Sequence, residues 1–495
     1  MLAFWKNTRS SFLSALAAGS LAYGFFLTNK LPNDDDLIYA FSKGVGLESG
    51  RFGLPLISHI FPDYSMPWIN GLLGLFMLSL AMALLIDLFQ IRMPIFRILL
   101  PAVMIVFPSQ IGIFAYTFAV PAFALAFLLT VLSVRLAALG TLRSYLAGIA
   151  VLAFVLSLYQ AYLMLAAALL LLHLLKDSLE SSIPMRDLLR RGIRYLLFLL
   201  AAMLLYGIVL ILLFALSGSG LGKYASDAAA EQGYPLIRRV KSMLGAVLGA
   251  FIPGKLNYSL VVSDFSAILH LIGFALAGLS LILRFLKADR KEYPLSRLMF
   301  QLLIVIILLP ISVSCIFLLT YSAVHTLVLH AFVSIYLLWV ILCGEAQEKE
   351  VPKAVSSCLL PLCLSLITVI NVFAANEAAL RLHYQNVYLE SVCNQVMSQL
   401  QQREDFTEDA ALTFIGYPSE TETIAKFDDL KIMGTHVISR KKYLNYYMGI
   451  SFNYADQETH DRLAEDPRIK GMPSYPYYGY IQNIDGVICV KLGEE

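Results

Sequence analysis

Apolar residues are grouped along this chain into runs that are long enough to cross a lipid bilayer. About 20 apolar residues in a helix span the hydrocarbon core of a membrane. Runs of this kind lie near residues 11–28, 67–89, 94–108, 111–134, 144–158, 161–175, 195–217, 265–286, 298–320, 325–343 and 354–374. The pattern predicts an all-α polytopic membrane domain of about eleven transmembrane helices within residues 1–375.

Three of these runs, near 94–108, 144–158 and 161–175, are shorter than a full span. The last two are separated only by Tyr159-Gln160-Ala161-Tyr162. We therefore expect a helical hairpin that turns at these residues.

The pattern changes after residue 375. A predicted helix covers residues 376–402, an apolar strand follows at 411–416, and a closing strand lies around 488–492. Residues 376–495 are therefore expected to form a small α+β domain.

Composition supports the membrane assignment. The chain is 58% hydrophobic and 15% charged, with a mean hydropathy of +0.71, which excludes an ordinary soluble domain. A net charge of +2 gives no electrostatic reason to expect nucleic acid. The first apolar run is too long for a signal peptide, so we expect it to be the first span.

The distribution of basic residues predicts the orientation. If the N-terminus is cytoplasmic, the short cytoplasmic segments carry most of the Lys and Arg residues in the connections, as the positive-inside rule requires. The loops 30–66 and 218–263 then face outward. Because eleven is odd, the C-terminal domain is expected outside the cytoplasm as well.

Few ionisable residues lie within the spans, namely Asp87, His173, His270 and His330, too few for an ion-coupled transporter. Charge is concentrated in the outer loops. The first loop carries Asp34, Asp35 and Asp36, and then Arg51. Adjacent carboxylates at a membrane surface can act as a general base or hold a divalent cation. They can equally stabilise the N-terminus of an interfacial helix, and both interpretations stay open.

The second outer loop predicts an amphipathic helix after Pro235. Its apolar face would be Leu236, Val240, Leu244, Val247 and Phe251, which leaves Arg238, Arg239 and Lys241 on the other face. These three cations could bind a lipid-linked phosphate or make ordinary headgroup contacts. Tyr159 and Gln160 at the hairpin tip could position a sugar, and His325 could contact phosphate. All three are also ordinary residues for a membrane interface.

Several motifs together resemble the type II Gtr glucosyltransferases of bacterial O-antigens, which belong to the broader GT-C membrane glycosyltransferases. They are Asp35-Asp36-Leu37 followed by Gly50-Arg51, then Ser157-Leu158-Tyr159-Gln160, then Met472-Pro473-Ser474-Tyr475-Pro476 with Gly479, and the final strand 486–492.

The resemblance implies transfer of a hexose, typically glucose, from a polyprenyl-phosphate carrier such as undecaprenyl phosphate. The acceptor would be an O-antigen or related surface glycan, lipid-linked or lipopolysaccharide-borne, at the periplasmic face of the bacterial inner membrane. Asp36 or Asp35 would be the general base, and Arg51 would support the donor phosphate. No cofactor is required, although Mg²⁺ or Mn²⁺ could bind Asp34, Asp35 and Asp36.

Two alternatives are an O-antigen polymerase or ligase and a lipid-linked sugar flippase or transporter. A flippase should have a charged central cavity and repeated halves, and neither is evident in the sequence. Cys393 and Cys489 are the two cysteines of the presumed outer domain, and an oxidising compartment would allow a disulfide between them.

Overall fold

The computed structural model describes residues 2–33, 35–36, 46–60, 65–180, 182–222, 235–253, 260–287, 294–318, 326–344, 354–407, 409–419, 440–449 and 452–494. The chain divides into two compact units. The helical unit comprises Met1–Lys30, Lys43–Glu377 and Leu430–Met433, and the sheet unit comprises Leu31–Ser42, Ala378–Asp429 and Gly434–Glu495.

Helices make up the helical unit. In chain order they are α1 Leu2–Thr28, α2 Gly53–Ser58, α3 Pro67–Leu88, α4 Pro94–Ile105, α5 Pro108–Ala115, α6 Val120–Ala138, α7 Leu142–Leu158, α8 Tyr162–Ser178, α9 Met185–Ser217, α10 Leu236–Gly249, α11 Asp264–Lys287, α12 Leu295–Leu318, α13 His330–Gly344 and α14 Val355–Gln401. The last of these continues into the sheet unit.

Seven helices in the described part of the chain are long and apolar enough to cross a membrane: α1, α3, α6, α9, α11, α12 and α14. The helices α4 and α5 meet at an angle of 49° and together form an eighth candidate, either a broken span or a re-entrant segment. The prediction of a polytopic helical membrane protein is therefore confirmed, whereas a count of eleven spans is not.

Local sequence explains where several helices begin and end. Proline occupies the first helical turn of α3, α4 and α5, where its missing N–H costs no hydrogen bond. The Thr141 hydroxyl accepts a hydrogen bond from the Ser144 N–H at 3.2 Å and caps α7. Gly218 ends α9 in the left-handed conformation, with φ of 66°.

Glycines allow the first helices to pack closely. A Cβ atom added at Gly71 of α3 would lie 2.1 Å from the Leu27 side chain of α1, and one at Gly74 would lie 2.2 Å from Val120 of α6. Membrane helices associate through such small residues because lipid supplies no hydrophobic driving force between them.

Basic side chains tie several helix ends together at one end of the helical unit. Arg135 of α6 pairs with Asp87 of α3, and Arg191 of α9 pairs with Asp177 of α8. Near the same point, Tyr195 Oη lies 3.2 Å from His173 Nδ1. These are residues that the sequence assigns to the cytoplasmic end, so their positive charge also serves helix packing.

The sheet unit contains a three-stranded sheet and short helices. The strands are β1 Ala411–Ile415, β2 Ile481–Ile484 and β3 Val487–Lys491, and the helices are α15 Arg440–Met448, α16 Gln457–Ala464 and α17 Pro467–Lys470. The order is β1-β3-β2, with β1 parallel and β2 antiparallel to β3. The two predicted strands are confirmed, and β2 is an additional strand that the sequence did not indicate.

The helix predicted at 376–402 is present, but it is the continuation of the last apolar run and not a separate element. The chain forms one helix from Leu360 to Gln401. After Pro361 this segment contains no glycine or proline. A change from apolar to polar residues does not end a helix when its backbone is uninterrupted.

The disulfide predicted between Cys393 and Cys489 is not formed in this structure, where both thiols are free. Cys393 packs in one apolar cluster with Ile488 and Val490 of β3. Cys489 lies between those two residues along the strand, so it points to the opposite face of the sheet and joins a second cluster. Burial raises the pKa of the Cys489 thiol to about 11, which keeps it protonated and unreactive.

Candidate functional site

A tight turn between α1 and α2 presents Arg51. The turn comprises residues 46–51, and we call it the arginine turn. The Arg51 N–H donates to the Gly46 carbonyl at 2.8 Å, and the Gly50 N–H donates to the Leu47 carbonyl at 2.9 Å. Gly50 has a φ of 71°, in the left-handed region that favours glycine. Gly50 and Arg51, which are paired in the sequence motif, therefore belong to one hydrogen-bonded turn.

Two side chains from other segments hold this turn. The Gln160 Nε2 group donates to the Ser49 carbonyl and to the Tyr206 hydroxyl, each at 3.0 Å. The Tyr206 hydroxyl in turn donates to the Gly50 carbonyl at 3.0 Å. The Tyr206 ring also stacks on Phe52, with centroids 5.8 Å apart. The N–H groups of Gln160 are therefore engaged by the protein, and its predicted role in positioning a sugar stays a prediction.

The guanidinium group of Arg51 rests on an aromatic ring. Its Cζ lies 4.7 Å from the ring centroid of Tyr159, a distance at which cation–π attraction operates. Its Nε is buried and makes no hydrogen bond, and no carboxylate in the described part of the chain pairs with this guanidinium. A guanidinium that has no carboxylate partner among the described residues is suited to an anionic ligand such as a phosphate.

Tyr159 is itself fixed by a column of rings. Its exposed fraction is 2%, and its ring centroid lies 5.0 Å from that of Phe123 and 6.0 Å from that of Tyr162. Tyr162 stacks on His330 with centroids 4.8 Å apart. The buried Tyr159 ring therefore supports Arg51. The predicted role of Tyr159 in positioning a sugar stays a prediction.

The hairpin tip that supplies Tyr159 and Gln160 lies where the sequence predicted it. Helix α7 ends at Leu158, Tyr159 is extended with φ of −160°, and α8 begins at Tyr162. The structure thus brings together three residues predicted for the site, Arg51, Tyr159 and Gln160, and adds Tyr206.

The described part of the acidic segment, Asp35 and Asp36, belongs to the sheet unit, and Asp36 forms a reciprocal pair of hydrogen bonds with Asn33. The Asn33 side chain accepts from the Asp36 N–H at 2.9 Å, and Asp36 Oδ2 accepts from the Asn33 N–H at 3.0 Å. This reciprocal pair is a capping box, and Asp36 is only 3% exposed. The capping interpretation is therefore realised for Asp36, while a catalytic role for Asp36 or Asp35 stays a prediction.

The metal interpretation concerns the same segment. Asp34 lies outside the described residues, so the predicted set of Asp34, Asp35 and Asp36 has no geometry to report. Within the described ranges, no group of three or more His, Cys, Asp or Glu residues could hold a metal ion.

The predicted amphipathic helix after Pro235 is α10, but its packed face differs from the expected one. Met243, Ala246 and Gly249 are buried, whereas Leu236 and Leu244 are 69% and 52% exposed. Met243 and two small residues pack against the protein, whereas Leu236 and Leu244 face outward, as suits a helix in contact with lipid.

The three cations of α10 are not equivalent. Arg238 and Lys241 are exposed, as predicted. Arg239 is half-buried and its Nη1 donates to the Leu318 carbonyl at 3.2 Å, so it lies on the packed side of the helix. His325 lies outside the described residues.

Sequence reasoning missed Tyr206. It lies within the apolar run 195–217, where a tyrosine adds to the hydropathy signal like any other large residue. A hydroxyl near the middle of a span needs a hydrogen-bond partner, and that requirement was the signal available.

The apolar helices indicate a membrane protein. A family model described as glucosyl transferase GtrII matches residues 24–385. The chain therefore belongs to the GtrII glucosyl transferase family, the family its motifs resemble, and is a glycosyltransferase. Asp35, Asp36, the arginine turn, the hairpin tip and Tyr206 all lie within the matched residues. No curated protein and no solved structure matches the chain.

Proposed function

We propose that this protein transfers glucose from a polyprenyl-phosphate donor to an O-antigen or related surface glycan, at the periplasmic face of a bacterial inner membrane. Arg51 binds the donor phosphate. The observation that carries this role is the guanidinium itself, which rests on Tyr159 and has no carboxylate partner in the described residues. Family membership supports the glucosyl group.

The chemistry needs few groups. An acceptor hydroxyl attacks C1 of glucose, the bond from C1 to the phosphate oxygen breaks, and polyprenyl phosphate leaves with the bonding electrons. A single displacement of this kind inverts the configuration at C1. Negative charge grows on the departing phosphate, and a guanidinium fixed beside it stabilises that charge.

The acceptor proton requires a base. We propose Asp36 or Asp35 for this role, and a carboxylate that takes up the proton completes the balance of the reaction. This scheme operates without a metal ion. If Mg²⁺ or Mn²⁺ takes part, Asp34, Asp35 and Asp36 are the ligands we propose for it.

Helix α10 supplies a second basic surface. Arg238 and Lys241 are exposed on a helix whose large apolar residues are also exposed, an arrangement that holds a helix in the headgroup layer. We propose that these two cations recruit the phosphate of the lipid carrier. Arg239 contributes to the packing of α10 through its bond to Leu318.

Binding of a short-chain polyprenyl-phosphate glucose to the purified protein in detergent tests the role of Arg51. A hydrogen bond to a charged group contributes about 1.5–3 kcal/mol, so Arg51→Ala should weaken binding by about 10- to 100-fold. Arg190→Ala is the matched control, because Arg190 is half exposed and pairs with Asp187 near the start of α9. If Arg51→Ala binds the donor as tightly as the wild type, Arg51 is not the phosphate ligand.

A further inference from the structure

We propose that Tyr206 is a positioning residue for donor binding, and that it acts through Arg51. Together with Gln160 it fixes the arginine turn so that the guanidinium stays over Tyr159. The inference rests on the proposed role of Arg51. Nothing in the family motifs singles out Tyr206, which is 156 residues from Gly50 in sequence.

The hydrogen bonds around Tyr206 have only one arrangement. An amide nitrogen can only donate, so the Tyr206 oxygen must accept from Gln160 Nε2. A carbonyl oxygen can only accept, so the Tyr206 proton must point to the Gly50 carbonyl. The hydroxyl therefore has one orientation and links the hairpin tip to the arginine turn.

These contacts control the peptide bond that precedes the Arg51 side chain. The Gly50 carbonyl and the Arg51 N–H belong to the same planar peptide group. Tyr206 holds its oxygen at 3.0 Å, and the Gly46 carbonyl holds its N–H at 2.8 Å. With both ends fixed, the plane cannot rotate, and the position of the Arg51 Cα is set.

The hydrogen bonds of Gln160 also position the Tyr159 ring beneath the guanidinium. Gln160 is the chain neighbour of Tyr159, and its Nε2 also donates to Ser49 in the turn. The distance between the turn and the ring is therefore held from both sides. Loss of these hydrogen bonds would let the Arg51 guanidinium move away from the Tyr159 ring.

Helix packing alone does not account for this contact. In the apolar stretch of α9 only 11% of the residues are buried. Leu204 and Ile208, which lie on either side of Tyr206 in the chain, are 65% and 47% exposed. A phenylalanine at position 206 would keep the stack on Phe52 and lose only the two hydrogen bonds of the hydroxyl.

A double-mutant cycle on donor binding tests the proposal. In the wild-type background, Tyr206→Phe should weaken binding of the short-chain polyprenyl-phosphate glucose by about tenfold, the effect of two ordinary hydrogen bonds. In the Arg51→Ala background it should have no further effect, because a residue that acts through Arg51 has nothing left to position. Gln160→Leu should reproduce both results, and it decides the question if Tyr206→Phe does not yield folded protein.

Tyr195→Phe is the matched control. It is the same substitution on the same helix, it removes the contact with His173 at the other end of α9, and it should leave donor binding unchanged. Equal weakening by Tyr206→Phe in both backgrounds would overturn the inference, since Tyr206 would then act independently of Arg51. If Arg51→Ala weakens binding and Tyr206→Phe does not, the positioning role of Tyr206 is wrong and the phosphate-binding role of Arg51 stands. If Arg51→Ala itself has no effect, both fall.

Discussion

Replacing Asp36 with asparagine separates catalysis from helix capping at the acidic segment. The two interpretations are hard to distinguish by alanine substitution, because Asp36 Oδ2 accepts the Asn33 N–H at 3.0 Å within the capping box. Asparagine keeps an oxygen for that hydrogen bond and cannot act as a base. Asp36→Asn therefore keeps the hydrogen bond of the capping box and removes the carboxylate that a general base requires.

The expected magnitudes differ enough to decide. Loss of a negative charge in the first turn of a helix costs about 0.3–1 kcal/mol of stability. Loss of a general base lowers the rate by about 100- to 10,000-fold. If Asp36 is the base, Asp36→Asn should be well folded and should lose transfer by at least a hundredfold. Asp35→Asn, measured alongside, identifies which of the two carboxylates carries the role.

Asn33→Ala is the complementary variant. It removes the side chain that accepts from the Asp36 N–H at 2.9 Å and leaves the carboxylate in place. Loss of such a cap costs about 0.5–2 kcal/mol, so this variant should be less stable than Asp36→Asn and more active.

The assay is incorporation of radiolabelled glucose from the lipid donor into the glycan fraction of membranes, with thermal unfolding of the purified variants as the stability measure. If Asp36→Asn and Asp35→Asn both transfer glucose at nearly the wild-type rate while Asn33→Ala is impaired, the acidic segment is only a cap. The assignment of a base to it would then be wrong.

Three further predictions follow from the structure and the sequence. Gly50→Ala places a Cβ 2.5 Å from the Tyr206 hydroxyl and should weaken donor binding at least as much as Tyr206→Phe, whereas Gly218→Ala has the same left-handed φ with no atom within 4 Å and should not. The protein should migrate identically in reducing and non-reducing gels, because Cys393 and Cys489 face opposite sides of β3; a shift on reduction that Cys393→Ser or Cys489→Ser abolishes would contradict this. A tag after Glu495 should be labelled only from the periplasmic side, and cytoplasmic labelling would refute the predicted topology.

Hydropathy was sufficient to locate helices but not to divide them correctly. Each predicted apolar run contains helix, and the turn after Leu158 lies at the expected residues. The region 94–134 is divided differently, with breaks around Phe107 and Tyr116. Proline at the start of α5 allows the chain to bend there. The bend angle depends on packing, which cannot be read from the hydropathy of the sequence.

The sequence predicted the site residues whose residue type indicates their chemistry. It did not predict the roles that depend on contacts. Arg51 and the hairpin tip were found from charge, aromaticity and family motifs. The support of Arg51 by Tyr159, the engagement of the Gln160 amide and the role of Tyr206 depend on contacts between segments more than a hundred residues apart. Sequence periodicity reports only on neighbours along one helix, so it could not reveal them.

Arg239 illustrates the same limit at shorter range. Its neighbours Arg238 and Lys241 are exposed, and a helical wheel placed all three cations on one polar face. The structure packs α10 through Met243, Ala246 and Gly249, and Arg239 lies on this packed side, next to Leu318. Which face of an amphipathic helix contacts protein and which contacts lipid is decided by the partner helices.

The most direct test of the proposed function is a comparison of glucose donors with purified protein and a bacterial glycan acceptor. We predict that glucose is transferred from polyprenyl-phosphate glucose with release of polyprenyl phosphate and inversion at C1, and that Arg51→Ala reduces this transfer when the donor is limiting. Transfer from a nucleotide-linked glucose in place of the lipid donor, or transfer that is insensitive to Arg51→Ala, would contradict the account.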